Sequence, residues 1–184
     1  MVIISILLGI GLSASAGYRV FIPLLIASIA GRLGWIPLTD SFHWMSSAAA
    51  IICFATATVV EIGAFYIPVV DNILDAAATP VALVAGTLLT TSVLPVENEL
   101  VKWIIGILLG GGSAGIMQVG TSMLRLASTK TTAGIGNPFL ATTEHLLAVG
   151  QSFLSIFIPV LTGISVIFLL IFLVSRYSSL FFRK

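Results

Sequence analysis

Charged residues are scarce in this sequence. Only 8% of its 184 residues are charged, whereas 58% are hydrophobic, and a soluble domain carries about 25% charged residues. A soluble fold of this length could not cover its surface with so few charges. The formal net charge of +1 also gives no basic surface for nucleic acid. The composition therefore argues against a soluble domain and against a nucleic-acid-binding protein.

Cysteine and the familiar catalytic signatures are nearly absent. Cys53 is the only cysteine, so no intrachain disulfide can form, and its mid-span position predicts a small buried apolar side chain. The chain has no His-Glu-x-x-His, no paired cysteines and no Gly-x-Ser-x-Gly, and His43 and His145 are poorly matched as haem ligands. We therefore predict no catalytic residue, no metal site and no cofactor, and an enzyme is a disfavoured class.

The sequence is instead rich in long apolar runs, and about 20 such residues suffice to cross a bilayer. These runs predict a single-domain, all-α polytopic membrane protein with about six transmembrane helices. The predicted spans are residues 2–31, 47–67, 79–95, 103–126, 137–159 and 160–174.

Two of these spans are predicted to be interrupted. The first has about 30 residues, more than one crossing needs. Gly17 and Pro23 flank Arg19 within it, so a kink is expected near residues 17–19. The fourth span carries three consecutive glycines, Gly110, Gly111 and Gly112. They would let its helix unwind or let another backbone approach closely, including that of a second copy in a homo-oligomer.

Six spans would place both termini on one side. That side would carry more Lys and Arg than the other, which predicts cytoplasmic termini in a cell inner membrane. The segments 6–11 and 107–112 resemble each other and both open a glycine-interrupted span. The halves 1–97 and 98–184 are therefore candidates for inverted three-helix repeats, an arrangement found in transporters. Glu61 and Glu144 are predicted at the same depth, so they are not repeat equivalents but could line one cavity.

Ionisable residues inside apolar spans are costly and usually functional. Arg19 either reaches an interface or pairs with a carboxylate inside the bundle, where Glu61 is its first candidate partner and Glu144 is the alternative. Asp71 and Asp75, at i, i+4 spacing, are predicted to form a cytoplasmic mouth. The predicted pathway comprises Arg19, Glu61, Asp71, Asp75, Gln118, Asn137 and Glu144.

These residues favour a channel or transporter for a small ion or solute, with a polar intramembrane site built from Arg19, Glu61 and Glu144. The sign of the substrate's charge stays open, because the site would hold both acids and a base. Asn137-Pro138 occurs only once, which argues against a water channel of the paired Asn-Pro-Ala type. The alternative is a structural or partner-binding membrane subunit, in which an Arg–Glu pair only fixes helix register.

Three groups of residues together resemble a bacterial family, domain of unknown function 4126. They are the segment 11–25, GLSASAGYRVFIPLL; then Glu61 with Pro68, Asp71, Asp75, Thr79 and Pro80; and last Gly136-Asn137-Pro138 with Thr143-Glu144. The resemblance covers nearly the whole chain. It implies an integral membrane protein with several helices and implies no reaction. Other members often read Ala-Asp-Lys where this chain has Ala64-Phe65-Tyr66.

Overall fold

A computed structural model describes the backbone of residues 2–66, 68–132 and 135–181, and their side chains except those of residues 68–76 and 176–181. Within these residues the chain forms helices and no strand, which confirms the all-α prediction. The helices are α1 (Val2–Ala16), α2 (Phe21–Arg32), α3 (Ala48–Ala64), α4 (Pro68–Val93), α5 (Glu99–Ile105), α6 (Gly112–Thr132), α7 (Asn137–Phe157) and α8 (Pro159–Phe181). A 3-10 helix, Asp40–Ser46, precedes α3, and a π-helical segment, Gly106–Gly111, joins α5 to α6.

Local sequence explains where several helices begin. At the start of α3 the backbone N–H of Ala50 donates to the Ser47 hydroxyl at 3.1 Å. At the start of α5 the N–H of Val101 donates to the Asn98 side chain, also at 3.1 Å. Helix α7 has Pro138 in its first turn, where a missing N–H costs no hydrogen bond. The Ser47 and Asn98 side chains accept hydrogen bonds from N–H groups that have no partner inside the helix, and Pro138 has no such N–H group.

Helix α4 begins much earlier than predicted. It starts at Pro68 and runs through Pro80 to Val93, whereas the sequence predicts a span starting at Thr79, with Pro80 in its first turn. Proline inside a helix removes one backbone hydrogen bond and so favours a helix start at that point. In the folded chain α4 makes extensive contacts with α1, and this packing outweighs the local preference.

Helices α1 and α2 form a hairpin rather than one crossing. We name the two ends of the bundle by the connections found there, the α7–α8 end and the α6–α7 end. Near the start of α1, Leu7 lies against Gly163 in the first turns of α8. Just after α2, the Trp35 ring packs on the ring of Phe157, the last residue of α7, with centroids 5.4 Å apart. Both outer ends of the hairpin therefore lie at the α7–α8 end.

The turn of this hairpin lies deep in the bundle. Arg19, in the turn, contacts Glu144 of α7, and Glu144 is separated from Phe157 by about 20 Å of helix at 1.5 Å per residue. The prediction of a single kinked first span is therefore wrong. Gly17 lies in the break as predicted, but Pro23 lies in the first turn of α2, where proline is tolerated.

The hairpin changes the topology. The described chain passes between the two ends of the bundle five times, through α3, α4, the α5–α6 rod, α7 and α8. Helix α1 begins at the α7–α8 end, whereas α8 begins there and finishes at the α6–α7 end. The two described chain ends thus lie at opposite ends of the bundle, and not on one side as six spans would require. Because the first half has a hairpin and two passages where the second has three passages, inverted three-helix repeats are not seen within these residues.

The glycines of the predicted fourth span remain helical. Residues Glu99–Thr132 form one rod, which the π-helical segment widens without breaking. A Cβ atom on Gly86 of α4 would lie only 2.5 Å from the Gly110 carbonyl oxygen. The glycines therefore allow α4 to approach the rod within one chain. This contact accounts for their density without a second copy, so the predicted break at Gly110, Gly111 and Gly112 is wrong.

Judged by length and composition, the rod Glu99–Thr132 can span a bilayer, and Asp40–Ser46 with Ala48–Ala64 would add a second candidate if the two helices, bent by 61°, count as one. Counting only residues whose side chains are described, four shorter stretches of helix are also apolar: Val2–Ala16, Phe21–Arg32, Ala77–Val93 within α4 and Pro159–Ser175 within α8. The membrane location of the protein therefore stays a prediction at this point.

Candidate functional site

The hairpin turn, residues 17–20, is held against α6. A Cβ atom on Gly17 would lie 2.5 Å from both the Ala114 carbonyl oxygen and the Met117 Cβ, so only glycine permits this approach. The Thr121 hydroxyl also donates to the Gly17 carbonyl at 3.5 Å. These contacts fix the depth of the turn and place Arg19 in the interior, where only 2% of it is exposed.

Two arginines share one glutamate at this turn. Arg19 Nη2 donates to Glu144 Oε2 at 2.6 Å, and Arg125 donates through Nε to Glu144 Oε1 at 3.2 Å and through Nη2 to Oε2. The three side chains are 1%, 6% and 7% exposed. We call Arg19, Arg125 and Glu144 the ionic cluster. Charge-assisted and bidentate contacts of this kind are among the strongest hydrogen bonds in proteins.

An aromatic ring covers the ionic cluster on one side. The guanidinium carbons of Arg19 and Arg125 lie 3.5 Å and 4.5 Å from the Phe65 ring centroid. Both distances are within the range of a cation–π interaction. Phe65 is thus an aromatic residue placed beside both arginines of the ionic cluster.

Glu61 binds the hairpin backbone rather than an arginine side chain. Its two carboxylate oxygens accept the N–H groups of Val20 at 2.8 Å and Phe21 at 3.0 Å. These N–H groups are at the start of α2, where the helix dipole favours a negative charge. The sequence proposes Glu61 as the first partner for Arg19, but the arginine pairs with Glu144. Glu61 instead positions the turn that carries Arg19.

Replacing Glu61 with glutamine is expected to lower the free energy of unfolding by about 1 kcal/mol, the typical value of a lost helix cap. An amide offers one acceptor oxygen, so one of the two N–H groups loses its partner. Unfolding in mixed detergent micelles measures the change. Thr56→Val is the matched control, since the Thr56 hydroxyl bonds only within its own helix. Equal stability of the two variants would contradict the capping role.

His145 lies beside the ionic cluster and is also buried, with 9% exposed. Its ring stacks on Tyr66 with centroids 6.1 Å apart. Neither ring nitrogen has a side-chain hydrogen-bond partner among the described residues. Within the same residues no three His, Cys, Asp or Glu side chains are grouped so that they could hold a metal ion.

Two further residues of the predicted pathway, Gln118 and Asn137, lie apart from the ionic cluster. Gln118 is buried on α6 near the hairpin turn, and its amide nitrogen lies 3.3 Å from the Ser122 hydroxyl. Asn137 lies at the connection between α6 and α7, where its amide donates to Thr129 at 3.2 Å. Asp71 and Asp75 lie on α4, but their side chains fall outside the described residues.

Sequence reasoning misses Arg125 as a member of the site. The polar composition of residues 125–138 favours a loop, but α6 continues to Thr132 and buries Arg125. Gln118, Thr121 and Arg125 are spaced i, i+3, i+7 and are all buried. This spacing places all three on one helix face, a signal that the sequence already contains.

A cleft of about 630 Å³ lies on the other side of Phe65, between α3 and α4. Phe21, Glu61 and Phe65 form its inner end, and its walls are mostly apolar. Cys53 lines the cleft and is exposed. The prediction of a buried Cys53 is therefore wrong, because α3 packs on α2 and leaves its α4-facing side open.

The comparison with known families gives one match that covers the part of the chain forming this site. The family described as "Domain of unknown function (DUF4126)" matches residues 6–178, a range that includes the hairpin, the ionic cluster and the cleft. The chain belongs to this family. The predicted resemblance is thereby confirmed. No curated protein and no solved structure matches this DUF4126 chain significantly.

Proposed function

We propose that this DUF4126 protein is an integral membrane protein. Large apolar side chains point outward along several passages, for example Val59 (71% exposed), Leu108 (67%) and Phe168 (70%). Exposed large apolar side chains on this many helices are typical of a protein surface that meets lipid or a partner. With 58% hydrophobic residues in the chain, lipid is the surroundings that fit best.

The same proposal includes an orientation. Outside the ionic cluster, Lys130 lies on the last turns of α6 and Arg176 on the last turns of α8, so both belong to the α6–α7 end. Two more cations, Arg183 and Lys184, follow α8 in the sequence, outside the described residues. Arg32 and Lys102 lie at the α7–α8 end. The excess of cations favours the α6–α7 end as the cytoplasmic face of the inner membrane. The hairpin then enters from the opposite face, and α1 begins there.

Within the membrane, the protein is proposed to move a small ion or solute. The observation that carries this proposal is the ionic cluster at the tip of a buried hairpin. Non-helical backbone at membrane depth is tolerated only where protein covers it or where it lines a water-filled cavity. Broken helices with charged groups at the break form the substrate sites of many transporters.

The residues divide into two roles in this mechanism. Arg19, Arg125 and Glu144 form the polar site, and a substrate would replace part of the Arg–Glu contact when it binds. Glu61 and Gly17 hold the turn in place, Glu61 through the backbone of α2 and Gly17 through its contact with α6. The cluster is almost completely buried, so the conformation described here is closed, and movement of the hairpin relative to α6 and α7 would open it.

Arg19→Gln is expected to reduce flux at least about tenfold, because loss of a buried hydrogen bond to a charged group costs about 1.5–3 kcal/mol. Proteoliposomes loaded with dyes for protons, potassium and chloride measure the flux. Lys130→Gln removes a positive charge at an exposed position of α6 and is the matched control. Wild-type flux in folded Arg19→Gln protein would contradict the proposed site.

A second candidate is a structural membrane subunit. It is favoured by the closure of the ionic cluster and by the use of both Glu61 oxygens in backbone contacts. In that case wild-type protein gives no flux of any of the three ions, while changes in the cluster still lower stability. Four glycines of the α5–α6 rod lie against α4 of the same chain, so their density does not require a homo-oligomer: Gly106, Gly110, Gly111 and Gly115.

A further inference from the structure

The cleft beside the ionic cluster opens sideways from the bundle. Its walls are formed by Cys53 and Val60 on α3 and by Ala78 and Val81 on α4. From Cys53 to Glu61 the wall runs about 12 Å along α3, at 1.5 Å per residue. Glu61 is the one charged side chain among the described residues that line it. A space of this size with apolar walls suits a hydrocarbon chain far better than water or a hydrated ion.

The surroundings of the cleft indicate that such a hydrocarbon chain would come from the bilayer. Val59 on α3 and Val84 on α4, next to the cleft walls, are 71% and 60% exposed on the outward surface. The apolar wall therefore continues into the surface that, under the proposed function, faces the bilayer. A lipid chain can enter this space without leaving an apolar environment.

One ring separates the inner end of the cleft from the ionic cluster. Phe65 lines the cleft on one side and lies over the guanidinium groups of Arg19 and Arg125 on the other. Glu61 also lines the cleft and holds the backbone of Val20 and Phe21. A rotation of Phe65 would join the apolar space to the buried polar groups.

We propose that the hydrocarbon chain of a bilayer lipid occupies this cleft, and that the cleft is a sideways route to the ionic cluster. The substrate class is then a membrane amphiphile, whose chain lies between α3 and α4 and whose polar head reaches Phe65 and Glu61. The occupancy of the cleft rests on the bilayer location, and the route rests on the proposed transport function. The two parts are tested by separate measurements.

The first measurement is cross-linking in proteoliposomes that contain a phosphatidylcholine with a diazirine in its acyl chain. Cross-links are expected on the cleft walls at residues 53–60 and 77–81. Ala78→Trp fills the cleft and should reduce these cross-links at least fivefold, while those on outward residues of α8 such as Phe168 stay unchanged. Val59→Trp adds the same bulk on the outward side of α3 and is the matched control.

Three results would overturn the occupancy. The first is an absence of cross-links on the cleft walls, and the second is an equal yield in wild type and Ala78→Trp. The third concerns the native Cys53, which a hydrocarbon-filled cleft should protect from a charged, membrane-impermeant maleimide. Modification of Cys53 as fast as that of the double variant Cys53→Ser/Lys130→Cys, whose thiol would be exposed on α6, would show that water fills the cleft.

The second measurement is the flux of an amphiphile, a fluorescent short-chain phosphatidylcholine that moves between the two leaflets of the same proteoliposomes, compared in wild type and Ala78→Trp. If the cleft is the route, flux falls at least tenfold in this variant and stays at the wild-type level in Val59→Trp. Cross-links without any wild-type flux would support the lipid site and reject transport. Wild-type flux in Ala78→Trp, with the cross-links lost, would support transport and reject the sideways route.

Discussion

Replacing Glu144 with glutamine is expected to lower the free energy of unfolding by about 3 to 5 kcal/mol, the usual result of removing one member of a buried ion pair. Glu144 is the shared acceptor for Arg19 and Arg125, so one substitution weakens two buried contacts. The amide is nearly the same size as the carboxylate, so packing is preserved and the loss reports on charge. Unfolding in mixed detergent micelles gives the value.

The control for this experiment is Glu97→Gln. Glu97 has the same side chain but is exposed between α4 and α5, so the substitution should change stability by less than about 0.5 kcal/mol. A loss of less than 1 kcal/mol in Glu144→Gln would mean that the ionic cluster contributes little to the fold. The double variant Arg125→Gln/Glu144→Gln should lose less free energy of unfolding than the sum of the losses in the two single variants. The reason is that both residues belong to one contact.

Replacing Gly86 with alanine is expected to destabilise the protein by about 1 to 3 kcal/mol, the typical cost of an overpacked core. The added methyl group would lie 2.5 Å from the Gly110 carbonyl oxygen and 2.6 Å from the Ala114 Cβ. Both neighbours belong to the α5–α6 rod, where no flexible side chain can move aside. Helix α4 would have to separate from the rod, and the same detergent unfolding assay would detect the change.

Gly112 provides the matched control on the rod itself. A Cβ there has no neighbour within 4 Å, and alanine is a better helix former than glycine by about 1 kcal/mol. Gly112→Ala should therefore be neutral or slightly stabilising. Opposite effects of the same substitution at Gly86 and Gly112 would show that close packing, and not glycine content, decides the outcome. Destabilisation of Gly112→Ala equal to that of Gly86→Ala would contradict this account.

Helix content is the part of the fold that the sequence predicts best. Long apolar runs with few breaks define most of the helices, and Ser47, Asn98 and Pro138 lie where local rules place helix starts. The start of α4 is missed because Pro80 favours a boundary, while contacts with α1 continue the helix through it. Local sequence preference predicts that α4 is a helix, but it does not predict the residue at which α4 begins.

The site is predicted only in part, because local sequence marks some of its residues and not others. Arg19 and Glu144 are recognisable because charges inside apolar runs are rare. Arg125 is missed because its neighbours are polar, and Phe65 is missed because an apolar residue in an apolar run carries no signal. Which carboxylate meets Arg19 depends on how helices far apart in the chain pack together, and a single sequence does not contain that information directly.

The amino-acid sequence by itself determines that this protein is helical, that apolar surface dominates it, and that a few ionisable groups are placed among apolar neighbours. These properties follow from composition and from spacing along the chain. Only the tertiary structure decides that the first two helices turn back at residues 17–20, that Arg19 meets Glu144, and that a cleft opens between α3 and α4. A kinked crossing and a hairpin satisfy the same local rules, and the contacts of Gly17 with α6 and of Glu61 with α2 select the hairpin.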